Sequence, residues 1–159
     1  MVVLFNWFRL ILRYLIPAQI LQGSLPSQEL LNRYQSLKIY AILAKAIRKG
    51  NLDLFDKMFS EHQATLIEWG TWLIVERTRL LVVRQLFKKI WGMLEKPSRL
   101  GIDVLQRGLA ISANDKNLST DDVSCLIVNL IDKGYMKGYV SFEKQVLVLS
   151  NSDPFPKME

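Results

Sequence analysis

Histidine and cysteine are the side chains that most often ligate metals or attack substrates, and this 159-residue sequence holds one of each, His62 and Cys125. His62 stands between Glu61 and Gln63, with no second imidazole or thiol close enough in sequence to share a metal. It reads as a helix-junction residue with a capping or packing role. Cys125 has no mate, which excludes a disulfide framework and a cysteine-based zinc site and fits a reducing compartment, cytosol or nucleus. No nucleophile has a recognisable base and no two carboxylates share an apolar frame. The glycines of GTWLIVE and GYMKGYVSF lack the spacing of a phosphate loop. The sequence reads as non-catalytic, with no metal and no cofactor.

What the chain does carry is positive charge, with a net +6 and a pI near 9.5. That excess suits nucleic acid, an anionic membrane surface or an acidic protein. The cations fall into two groups. Arg33, Lys38, Lys45, Arg48 and Lys49 belong to the early helices; Arg77, Arg79, Arg84, Lys88, Lys89, Lys96 and Arg99 form a denser series. Backbone phosphates need only placed lysines and arginines, and such contacts are salt-sensitive and independent of base sequence. The expected nucleic-acid set is Arg84, Lys88, Lys89, Lys96 and Arg99 from the dense series, with Lys133, Lys137 and Lys144 further on. Set against this is the plainer reading of solvated faces and stems lying over apolar surface, and Arg77 reads as structural.

The elements that must position these groups are mostly helical. Thr71 to Leu94 has no proline, no glycine before Gly92, and apolar residues all round at helical spacing, which predicts one central beam buried on more than one side. Arg77, Arg84 and Lys88 share one stripe of it. The first segment, MVVLFNWFRLILRYLIP, is too short for the ~20 residues a bilayer core requires and lacks the features of a signal peptide. It reads as a buried helix whose open apolar side belongs inside a larger helical structure, ending or kinking at Pro17. Ser27 and Asn51 are helix caps, and Gly50, Gly70 and Gly134 are stops. Short antiparallel helices are expected over 27–70, and an amphipathic helix over Ile102 to Ile111. A further helix opens at Ser119 and Thr120 with Val123, Leu126, Ile127, Leu130 and Ile131 inward. YMKGYVSF and KQVLVLS then read as a β-hairpin turning at Phe142 to Lys144.

Helical hairpins, a long helix, then a winged helix is the order of the PCI domain. LIPAQILQG, AIRKGNLDLFDKMFSEH, WLIVERTRLLVVRQLFKKIW, LIVNLIDKGYMKGYVSFEKQVLVLS and the terminal DPFP resemble the PCI domain-containing protein 2 family over roughly residues 10 to 156. A signalosome-associated subunit of the same subfamily is similar throughout. The resemblance implies a mainly α fold of right-handed helical-repeat hairpins followed by a winged helix with a small β-hairpin. It implies four parts: 1–22 as the end of an upstream repeat region, 23–83 as a helical bundle, 84–151 as the winged helix and 152–159 as a tail fixed by Phe155.

It further implies a nuclear mRNA-export subunit, with the cytoplasm as a second location. Its partners would be a Sac3/GANP-type scaffold, the small acidic Sem1/DSS1-type subunit, and RNA or DNA backbone, with no membrane. The alternative is an assembly subunit of a signalosome or proteasome-lid type without nucleic-acid contacts. PCI proteins pair through the winged-helix end, so Val146, Leu147, Val148 and Leu149 are expected at a protein interface beside a sheet edge. A winged helix often reads DNA with its third helix, but Asp121, Asp122 and Asp132 disfavour base readout here.

Overall fold

A helix needs an N–H from each residue four places on, and proline has none, so Pro17 marks an expected break. The computed structural model describes residues 2–157, with side chains from Trp7 onward, and carries α1 unbroken over Val2–Leu21. The Arg13 carbonyl, left without its helical donor, accepts instead from the Tyr40 hydroxyl at 2.6 Å. A tertiary bond replaces the lost local one. The helix ends where Gly23 turns left-handed and Ser24 N–H donates to the Gln19 carbonyl at 2.9 Å.

Tyr40 belongs to α3 (Lys38–Lys49) and is fully buried. Its hydroxyl also lies 3.5 Å from the Thr71 hydroxyl, and the Arg13 guanidinium sits 4.5 Å above the Trp69 ring. This knot fastens α1 to α3 and to the turn between α5 (Gln63–Glu68) and α6 (Trp72–Arg77). Burial pushes the Tyr40 hydroxyl above its ordinary pKa, opposed by the Thr71 hydrogen bond and by the Arg13 charge. Among the described side chains of α1, Ile16 and Ile20 are buried, whereas Trp7, Phe8, Ile11 and Tyr14 face solvent. From Trp7 onward, the expected buried helix is therefore buried on one face.

Between these, α2 (Gln28–Arg33) is capped by the Ser27 hydroxyl and leads through a 3-10 turn, Gln35–Leu37, into α3. Gly50 closes α3 at φ 65°, and a Cβ there would come within 2.9 Å of the Leu86 backbone. Glycine is thus needed for the turn and for the close approach. Asn51 caps α4 (Leu52–Glu61) by accepting from Leu54 N–H at 2.9 Å.

The expected single beam is two helices, α6 and α7 (Arg79–Met93). At the break, the buried Thr78 donates both its hydroxyl, at 2.6 Å, and its N–H, at 3.0 Å, to the Val75 carbonyl. Threonine hydroxyls compete for helix carbonyls in this way and tighten the turn to i→i−3. The all-round apolar pattern keeps its meaning, because α7 buries Leu81, Val82, Val83, Phe87 and Ile90 among α3, α4 and α8 (Ile102–Ala113).

The winged helix follows, with α9 (Thr120–Asp132) opened by a Ser119–Asp122 capping box. Its sheet has three antiparallel strands, not two. β1 (Arg99–Gly101) and β2 (Gly138–Ser141) flank β3 (Val146–Leu149), and Arg99 and Tyr139 both pair with Val148. Among the described residues, no helix is long and apolar enough to cross a membrane. Tyr40→Phe should lower stability by ~1–3 kcal/mol in urea unfolding, because the Arg13 carbonyl loses its donor. The same change should cost less in a Pro17→Ala background, where a backbone N–H is restored; an equal cost in both would refute the substitution of one bond for the other.

Candidate nucleic-acid and partner interface

Arg84, expected to reach phosphates, points inward. Its side chain is 7% exposed; Nε donates to the Tyr135 carbonyl at 2.8 Å and an Nη donates to the Pro156 carbonyl. The guanidinium also lies 6.0 Å from the centroid of Phe155. Burial pushes its pKa down, and the charges of Asp153 and Tyr135 oppose that shift. Arginine stays protonated regardless, given its high intrinsic pKa. With two carbonyls claiming its donors, Arg84 leaves the nucleic-acid set. It fastens the C-terminal tail and the segment after α9 onto α7, a structural part that the stripe with Arg77 and Lys88 did not reveal.

The other seven expected cations are exposed, and they do not gather at one place. Lys88 and Lys89 lie on α7, where Lys89 Nζ donates to the Lys49 carbonyl at 3.0 Å. Lys96 turns left-handed and holds its ammonium 5.8 Å from the centroid of Trp91, whose indole N–H donates to the Pro97 carbonyl. Arg99 lies on the outer strand β1, and Lys137 directly precedes β2 on the opposite edge. Lys133 follows α9, and Lys144 sits in the β2–β3 turn. The wing therefore carries cations at both edges of its sheet, in its turn and after α9, and a second group stands on the helical side.

The interface expected at Val146, Leu147, Val148 and Leu149 is corrected by the sheet order. These residues form β3, the central strand, and both of its edges are paired. Leu147 and Leu149 are buried in the protein's own core, with Val146 and Val148 half-buried on the opposite face. A strand paired on both sides presents no free backbone. The apolar groups that do reach solvent nearby are Tyr139 at 62%, Phe142 at 59% and Val128 at 45% exposure. Cys125 is exposed as well. Asp121, Cys125, Val128 and Asp132 recur at intervals of four, three and four along the outward face of α9, a helical stripe that the sequence already carried.

The three beam-side tryptophans pack as core residues. Trp69 meets Tyr40 at 6.1 Å, Trp72 meets Phe59 at 5.3 Å and Trp91 meets Phe155 at 5.5 Å between ring centroids. Phe155 is buried, which fixes the DPFP tail. His62 occupies the α4–α5 junction without a side-chain cap bond. Arg79, from the dense basic series, is bound in a bidentate pair with Asp56 at 2.9 and 3.0 Å, and that hydrogen bond raises its pKa. Replacing Arg84 by Met should destabilise the fold by about 3 kcal/mol, since hydrogen bonds to charged groups contribute ~1.5–3 kcal/mol each. It should also speed amide exchange over residues 152–157 while leaving the salt dependence of polyanion binding unchanged; a flattened salt dependence would return Arg84 to the contact set.

The PCI domain family model matches residues 52–151. The chain is 39% identical over 150 residues to a protein named CSN12 homolog from Schizosaccharomyces pombe, covering 93% of this chain and 35% of that relative. A PCI domain-containing protein 2 homolog from Drosophila melanogaster is 39% identical over 151 residues, covering 94% of this chain and 37% of the relative. PCI domain-containing protein 2 from Xenopus laevis is 36% identical with the same coverage. The chain thus spans little more than a third of the length of these relatives. With helical hairpins leading into a winged helix and the family match running from α4 through β3, the chain belongs to the PCI-domain family.

Proposed function

We propose that this chain is a non-catalytic subunit of a nuclear mRNA-export complex, with the cytoplasm as a second location. On this reading it pairs with a Sac3/GANP-type PCI scaffold through the wing and contacts RNA or DNA backbone there, with a small acidic Sem1/DSS1-type subunit in the same assembly. The observation that carries the reading is the composition of the wing's surface. Exposed aromatic groups, Tyr139 and Phe142, stand among the exposed charges of Lys133, Lys137 and Lys144. Large apolar side chains held in solvent are anchors for a protein partner, and lysines around them supply backbone contacts to nucleic acid. The acidic outward face of α9 argues against base readout, which makes the expected binding tolerant of sequence.

The name CSN12 homolog carried by the Schizosaccharomyces pombe relative supports a second reading, an assembly subunit of a signalosome or proteasome-lid type with no nucleic-acid contact. Affinity purification of the full chain from cells separates the two: export-complex scaffold recovered supports the first, and signalosome subunits recovered in its place overturn it. Tyr139→Asp with Phe142→Asp should weaken scaffold binding by roughly tenfold or more, as for buried aromatic anchors, with the thermal midpoint unchanged. Reversal of Lys133, Lys137 and Lys144 to Glu should weaken RNA binding and flatten its salt dependence. An RNA affinity that does not fall with salt would remove the nucleic-acid part.

A further inference from the structure

Two basic groups that are far apart in sequence meet where α3 ends against α7. Lys45, Arg48 and Lys49 occupy the last turns of α3, and Lys88 and Lys89 come from α7; all five are exposed. Lys89 reaches across to the Lys49 carbonyl at 3.0 Å. Arg48 donates to the Pro26 carbonyl at 3.0 Å, and Lys88 lines a cleft with Ser24 and Lys157. The loop from Gly23 to Pro26 therefore has Arg48 on one side and Lys88 on the other. Among the described residues, ion pairs engage only Lys57, Arg79 and Arg107, so none of these five cations is neutralised by a carboxylate. Asp53, which shares a surface depression with Lys49 and Lys89, is itself paired to Lys57 at 2.7 Å.

The C-terminal carbonyls of α3 account for Arg48 and Lys49, since cations are favourable at a helix C-terminus. The Lys49 carbonyl likewise holds Lys89, but none of them accounts for Lys88. The close approach of Gly50 to the Leu86 backbone sets the cations of α7 beside those of α3, and like charges gathered in this way favour an anionic partner. A row of unpaired lysines suits a chain of phosphates. An acidic peptide would need apolar anchors; among the described residues, the large apolar groups lining the depressions around these cations that are not buried are Ile111, which is exposed, and Ile42, which is half-buried beside Lys45, Arg48 and Lys49. Among the described residues, no exposed aromatic lines the depressions around these cations, so bases would not stack here.

We infer that the α3–α7 junction is a second nucleic-acid contact, a track for backbone phosphates held by Lys45, Arg48, Lys49, Lys88 and Lys89. It rests on the nucleic-acid reading given above but is independent of the wing. The test is the anisotropy of a mixed-sequence single-stranded RNA oligonucleotide bound to the full chain between 50 and 200 mM salt. The variants are Lys45, Lys49, Lys88 and Lys89 all to Glu, and separately Lys133, Lys137 and Lys144 to Glu. Each phosphate contact contributes about 0.7 to the slope of log affinity against log salt for single strands. The junction variant should therefore flatten the slope by about 2–3 and weaken binding at low salt by tenfold or more. The same four positions changed to Gln provide the measurement if the Glu variant loses its thermal transition.

A flattened slope in the wing variant alone would overturn the junction track and leave the wing reading intact. No change in either variant would overturn both. Competition by polyglutamate of equal charge as strong as that by RNA would assign the junction to an acidic protein instead.

Discussion

A buried guanidinium must find acceptors, and Arg84 finds them in two backbone carbonyls that belong to neither its own helix nor to each other's segment. Tyr135 follows α9 and Pro156 lies in the tail, 51 and 72 residues away in sequence. Leaving such a charge unpaired costs several kcal/mol in a desolvated site, so both segments are held wherever α7 is folded. The tail's Phe155 then covers Trp91, whose indole N–H fixes Pro97 at the entry to β1. The start and the end of the winged helix are thus tied to one helix, and that helix is the one packed against α3 and α4.

A comparable exchange of local for distant bonding occurs at the other end of the molecule. Pro17 forfeits a helical hydrogen bond, and Tyr40 restores the acceptor's partner from α3. The result is a helix continuous for 20 residues whose inner side is locked to the hairpins and whose outer side presents Trp7, Phe8, Ile11 and Tyr14. The surfaces proposed for partners therefore lie on the margins of a tightly joined middle. One margin is the wing, with aromatic groups set among lysines; another is the α3–α7 junction, where packing itself concentrates charge.

The same side-chain type serves opposite ends according to its acceptors. Arg84, Arg79 and Lys89 all sit on α7, yet Arg84 is spent on carbonyls inside, Arg79 on Asp56 at its flank, and Lys89 on the end of α3 at the surface. Charge density along a helix says that cations are present; it does not say which of them remain for a partner. Likewise the apolar run of β3 is a core strand, because β1 pairs with the edge that a two-stranded hairpin would have left open.

What the sequence by itself determined is what a few neighbouring residues settle. Ser27, Asn51 and Ser119 cap helices, Gly50 and Gly134 end them, the inward stripe of α9 follows its 3.6-residue period, and the order of helical hairpins before a winged helix follows from these signals together. The positions of Lys88, Lys137 and Lys144 at the surface also agree with their charge. The tertiary structure alone decided the fate of Arg84, the continuity of α1 through Pro17, the strand β1 with only three residues, and the meeting of Lys49 with Lys89 40 residues apart. Each of these depends on an acceptor or a pairing strand supplied from far along the chain. Local propensity cannot encode such a partner, because the free energy that selects it exists only once the helices have packed.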